Sequence, residues 1–146
     1  MKKDLFNIVL PGIFIPLVLG SVYNYSQYAK NIMEVFDISK FSADIGFSLI
    51  IFFLGMGAAV FGRFVEMFPK RMAIVSTILF AIGLLTISFA TYTGILPLYY
   101  IGCSFIGTGT GIGYTSPIKQ LLSLSQNHKG FFSGLSICSF GLGKFV

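Results

Sequence analysis

Apolar positions along this chain gather into five long runs separated by short polar joints. The runs cover roughly 5–26, 45–65, 72–92, 95–118 and 130–146. A bilayer core takes about 20 mostly apolar residues of α-helix. The first four runs therefore predict complete transmembrane helices, and the fifth a helix cut short where the chain ends. No run alternates apolar and polar residues at period two, as membrane barrel strands do. The first run is longer than the apolar core of a secretory signal peptide and is expected to be retained. Of the joints, 64–71 is a tight polar turn, 91–97 carries no charge, and 27–44 reads as a longer, mildly acidic loop.

Composition strengthens the membrane reading. Hydrophobic residues make up 55% of the 146 positions and charged residues 10%, whereas a soluble domain carries about a quarter charged. The few charges are also asymmetric. Lys2, Lys3, Arg63, Lys70, Arg71, Lys119 and Lys129 fall on one side of the predicted spans. The other side has Lys30 and Lys40, accompanied by Glu34, Asp37 and Asp44. Lysine and arginine in short loops stay cytoplasmic. The expectation is a multi-pass integral protein of the cell or inner membrane with its N-terminus in the cytoplasm. The net charge of +5 then follows from topology, and no nucleic-acid partner is expected.

Little in the chain suggests an enzyme. Glu66 has no second carboxylate beside it, and the lone His128 sits in a polar loop away from any nucleophile or second metal ligand. Cys103 and Cys138 lie in apolar runs, where thiols pack as small hydrophobes. No metal, no cofactor and no catalytic residue is expected. The residues with potential chemistry lie within the spans. In the first, Pro11 and Pro16 each free a carbonyl that a neighbouring helix can satisfy. Tyr25 and Tyr28 fit an aromatic belt at the membrane interface; Tyr23, about a turn deeper with Asn24, fits either that belt or the wall of a cavity. The fourth span carries Gly107, Gly109, Gly111 and Gly113. These do not form a phosphate loop, since no Lys-Ser/Thr follows and no strand–helix unit surrounds them. Small residues three or four apart let membrane helices approach closely, so Gly107 with Gly111 and Gly109 with Gly113 are helix-packing pairs. Tyr114 beside them suits a substrate cavity. Lys144, inside the fifth run, is either functional or a snorkelling cation. The turn holding Gly62, Glu66, Lys70 and Arg71 reads as a solvated cytoplasmic turn or as a conformational latch.

That turn, Gly62-x-x-x-Glu66-x-x-x-Lys70-Arg71, resembles the signature of the major facilitator superfamily. Glu66 stands for the usual Asp, Met67 for the Arg and Pro69 for the Gly, which implies a latch built differently. Three stretches are similar to the oxalate/formate antiporter family: Gly20-Ser-Val-Tyr23-Asn-Tyr-Ser26, Gly107-Thr-Gly109-Thr-Gly111-Ile-Gly113-Tyr114, and Lys129-Gly130-Phe-Phe-Ser-Gly134 leading to Phe140-Gly141-Leu-Gly143. The family's Trp-Phe-Pro before Lys/Arg-Gly is replaced by Leu124-Ser-Gln126-Asn-His128, and the chain has no tryptophan, so its aromatic cavity would differ.

The resemblance implies an all-α membrane protein of about twelve helices in two halves. This chain would be the N-terminal portion of the bundle, with four complete transmembrane helices and a truncated fifth. It implies a secondary active transporter, an antiporter, exchanging small carboxylates by alternating access. Tyr23 and Tyr114 match the substrate-binding positions, and the cations that neutralise a dicarboxylate would lie in the missing C-terminal half. The expected partners are a small organic anion, the lipid bilayer and that half. Two alternatives stay open: a facilitator-superfamily transporter of another small solute, and a small non-transporting membrane protein whose glycine-rich helices serve assembly.

Overall fold

The computed structural model describes residues 2–124 and 129–145. The loop with His128 lies outside the described residues, as do the side chains of Lys129 and Lys144. The described elements are helical throughout, with no strand among them. Helix α1 (Lys2–Leu19) tightens into a 3-10 turn over Gly20–Asn24 and continues as α2 (Tyr25–Phe36). Then follow α3 (Lys40–Met67), α4 (Pro69–Thr93), α5 (Leu96–Leu124) and α6 (Lys129–Leu142), closed by a second 3-10 turn at Gly143–Phe145.

Among the described residues two helices, α3 and α4, are long and apolar enough to cross a membrane. At 1.5 Å per residue, the 28 residues of α3 reach about 42 Å, beyond a hydrocarbon core of about 30 Å. One residue, Phe68, joins it to α4, whose first position is Pro69. Proline suits that position because its fixed φ is helical and the first N–H of a helix has no partner anyway. Helix α5 is longer, at 29 residues, but glycine and threonine dilute its apolar content.

The expected loop after the first span is for the most part helix. Tyr25, Ile32, Met33 and Phe36 fall on one face of α2 and pack on the core formed by Ala43, Ile50, Ala90, Tyr99, Cys103 and Ile106. The polar residues between them mask this period in the sequence. Asp37 ends α2 in the left-handed region at φ 48°, its N–H bonding to Met33 O, a conformation Asp adopts more readily than most residues. Ser39 caps α3 by accepting from Ser42 N.

Helix α5 lies between α3 and α4, and its glycines make that possible. A side chain at Gly107 or Gly111 would run into the α3 backbone at Ile50 and Leu54; one at Gly109 would meet α4 at Phe80 N, 2.8 Å away. Gly113 faces Ser76 of α4 and Leu19 of α1. The two glycine pairs thus divide, one toward α3 and the other toward α4 and α1.

Pro16 has no N–H to offer the carbonyl four residues before it, that of Gly12. The buried Ser136 hydroxyl of α6 donates to that carbonyl at 3.1 Å. Further along the same crossing, Gly20 and Gly143 bring the two 3-10 turns into backbone contact. On the outer faces of α3 and α4, Phe52, Met56, Val60, Ile78, Leu85 and Phe89 are exposed. Apolar exposure on this scale marks a surface made for lipid or for a partner.

Candidate functional site

Phe140, late in α6, is the point where the two sequence-predicted binding tyrosines meet. Tyr114 of α5 packs on its ring with centroids 4.6 Å apart. Tyr23, on the first 3-10 turn, meets the same ring edge-on at 5.4 Å. The tightening at Gly20–Asn24 places Tyr23 there, because Gly20 lets the turn press against the Phe140 carbonyl. Tyr114 makes no hydrogen bond among the described residues. Beside Tyr23, the Asn24 Oδ1 atom is buried and has no hydrogen-bond partner among the described residues.

Two cavities open near this cluster. The first, about 400 Å³, is bounded mainly by α2, α4 and α5; its wall is apolar apart from hydroxyls, Asn31 and Cys103, and it includes Tyr25 and Tyr99. The second, about 530 Å³, is lined by Tyr23, Tyr25, Ser26, Lys30, Lys40, Asp44 and Phe47 together with Ala29 and Met33. Tyr114 lines neither of them. Tyr25 separates the two. Its hydroxyl donates to Ala43 O at the start of α3, so the Tyr99 hydroxyl, 2.8 Å away, is the donor to Tyr25. Tyr100 adds a bond to Ser42 O at 3.0 Å. Tyr25 therefore faces inward and does not belong to a surface belt; Tyr28 is exposed.

The second candidate feature sits at the opposite end of α3. Lys119 of α5 donates to Gly62 O at 2.9 Å and to Glu66 Oε1 at 2.8 Å. One turn earlier on α5, Ser116 Oγ donates to Pro69 O at 3.1 Å. The two side chains, three apart and so on one helix face, grip both sides of the α3–α4 joint. The hydrogen bond from Lys119, and then its charge, hold the Glu66 carboxyl below the usual carboxylate range. Arg71 lies over the Phe68 ring, 5.4 Å from its centroid. Lys70 is exposed, and among the described residues Glu66 pairs with Lys119 and with neither basic residue of the turn.

Sequence reasoning picked out Gly62 and Glu66 but not their partner, since Lys119 registered merely as one more positive charge on its side of the spans. Ser136 was missed too, and Phe140 figured only at the head of a family-like stretch, with no role of its own. The freed Gly12 carbonyl was the available signal for Ser136; nothing in the sequence marked Phe140 as the meeting point of the two tyrosines. Among the described residues no group of three or more His, Cys, Asp or Glu could hold a metal ion.

The described residues form an all-helical structure, with two helices among them long and apolar enough to cross a membrane. No family model, no curated protein and no solved structure matches it.

Proposed function

We propose that the chain forms the first helices of a facilitator-type secondary transporter, a multi-pass membrane protein with a cytoplasmic N-terminus, moving a small organic anion such as a mono- or dicarboxylate by alternating access. The observation that carries this reading is the cluster at Phe140. Three segments distant in sequence bring Tyr23, Phe140 and Tyr114 together. Aromatic rings with a few placed polar groups are the ordinary lining of small-molecule sites. The Lys119–Glu66 contact supports the same reading. It ties α5 to the α3–α4 joint through an exposed ion pair (side-chain exposure 33% and 64%), a contact that costs little to open and so suits a part that must move.

Uptake tests this directly. In cells or vesicles bearing the full-length protein, Tyr114→Phe should weaken uptake of labelled carboxylates several-fold while membrane insertion stays intact. Unchanged uptake removes Tyr114 from the site, and no uptake by the unaltered protein for any carboxylate removes the transport reading.

One observation favours the second reading, a membrane interaction protein. Gly130 and Gly134 of α6, a turn apart, have no atom within 4 Å of where a side chain would begin. Such a thin face is what another helix packs against.

A further inference from the structure

The second cavity has an unusual charge pattern for an apolar protein. Lys30 in the middle of α2 and Lys40 at the start of α3 both line it, and with Asp44 as the one carboxylate in the wall a single positive charge remains. Neither lysine is paired: the ion pair recorded among the described residues is Lys119–Glu66. Lys40 and Asp44 stand four apart on α3, where ion pairs can form, yet they do not join. Glu34 and Asp37 belong to the same end of the bundle but do not line the cavity. The same two helices, α2 and α3, add aromatic and apolar surface to the wall, with Tyr25 and Phe47 stacked at 5.2 Å and Ala29 and Met33 lining it as well. Ser26 and Tyr23 supply hydroxyls.

We propose that this cavity is a capture site for organic monoanions with a flat apolar body, of the aryl carboxylate type. Lys30 and Lys40 hold the carboxylate, and the Tyr25–Phe47 wall takes the ring. A dianion would find one net positive charge and a second carboxylate unpaired near Asp44, so it binds less well. A neutral molecule of the same shape gains the wall but leaves both lysines unanswered. Tyr23 lines this cavity and also touches Phe140, which makes the cavity a vestibule to the aromatic cluster. That last role rests on the transport reading; the binding does not.

The full chain in lipid nanodiscs is titrated with para-fluorobenzoate, with para-fluorobenzamide as the neutral isostere and with terephthalate as the dianion, read by NMR of the ligands. Two unit charges at contact distance in water attract by about 1 kcal/mol, or about fivefold in affinity. Lys30→Gln and Lys40→Gln should each weaken para-fluorobenzoate about fivefold and leave para-fluorobenzamide unchanged. Asp44→Asn should tighten terephthalate about fivefold, a gain that a misfolded variant cannot imitate. Equal binding of acid and amide, or wild-type benzoate affinity in the Lys30→Gln/Lys40→Gln double variant, overturns the proposal. Uptake measured on the same variants separates the two ideas. Binding that follows these charges without any uptake sinks transport and keeps the capture site; uptake that ignores both lysines while Tyr114→Phe lowers it sinks the vestibule role and keeps transport.

Discussion

Gly111→Ala is the most direct probe of how α5 is held. The new Cβ would fall against Leu54 O and stand 3.0 Å from Ala58 N. Both are backbone atoms of α3, so no side chain can rotate aside and the two helices must part. Forcing a methyl into a packed interior costs about 1–3 kcal/mol, while alanine returns up to about 1 kcal/mol of helix propensity over glycine. A net loss of about 1–2 kcal/mol is expected. Gly55→Ala on α3 is the matched control, because no atom lies within 4 Å of its side-chain position. There the propensity gain stands alone, so the two variants should differ by about 2 kcal/mol, roughly thirtyfold in the population of an opened state. Cys103 reports that population: its side chain is inaccessible in the core, whereas Cys138 is exposed and is first replaced by serine. Where opening and closing are fast, maleimide labelling of Cys103 follows the open fraction. Labelling of Gly111→Ala at the wild-type rate would refute the argument. So would equally fast labelling of Gly55→Ala, because general destabilisation by alanine would then explain both.

Ser136→Ala should cost about 1 kcal/mol by stripping the donor from the Gly12 carbonyl, and Pro16→Ala should relieve much of that loss by restoring the helix's own N–H. Thermal unfolding of the two single variants and the double closes the cycle, and simple additivity would show that the serine does not compensate the proline. At the α3–α4 joint, Lys119→Gln and Glu66→Gln should lower the melting temperature at neutral pH by similar amounts, with the double variant little worse than either. Glu66 titrates lower in the folded chain than unfolded, so its pairing contributes stability that is fully present above the usual carboxylate range and is lost as pH falls through the lowered folded value. The gap between wild type and Glu66→Gln should therefore close on acidification below about pH 4; a gap that persists there assigns the effect to something other than the carboxylate's charge.

Long apolar runs were legible because a run of that kind needs no context: α3 and α4 extend the predicted 45–65 and 72–92 by a few residues at each end. The helix at Tyr25–Phe36 was not, because its buried Ile32 and partly buried Met33 and Phe36 are interleaved with Lys30, Asn31, Glu34 and Val35 and look like a loop until α3 and α5 supply the surface they cover. Contacts made across the bundle were equally hidden. Tyr25 has the composition of a belt residue, and its inward turn depends on finding Ala43 O and Tyr99. Glu66 could be singled out by its place in a turn, but its partner lies 53 residues away on a helix whose rotation the sequence does not state.

Helix α5 shows how close packing lowers the hydropathy of a central helix. Its glycines are there so that α3 and α4 can come close, and each one lowers the apolar content by which a spanning helix is recognised. Its threonines and serines look polar in sequence, yet Ser104, Thr108, Thr110 and Thr115 each donate to a carbonyl of the preceding turn, at 2.7–3.1 Å. A hydroxyl spent in this way leaves no donor for water, which is the condition a polar group must meet inside an apolar medium. Flanked by the two helices that are long and apolar enough to cross a membrane, α5 does not itself need to attract lipid. It needs to be thin and internally hydrogen-bonded, and its sequence meets both conditions. At two successive positions Gly113 closes on Ser76 and Leu19 and Tyr114 packs on Phe140, so one short stretch of α5 serves both the packing and the candidate site.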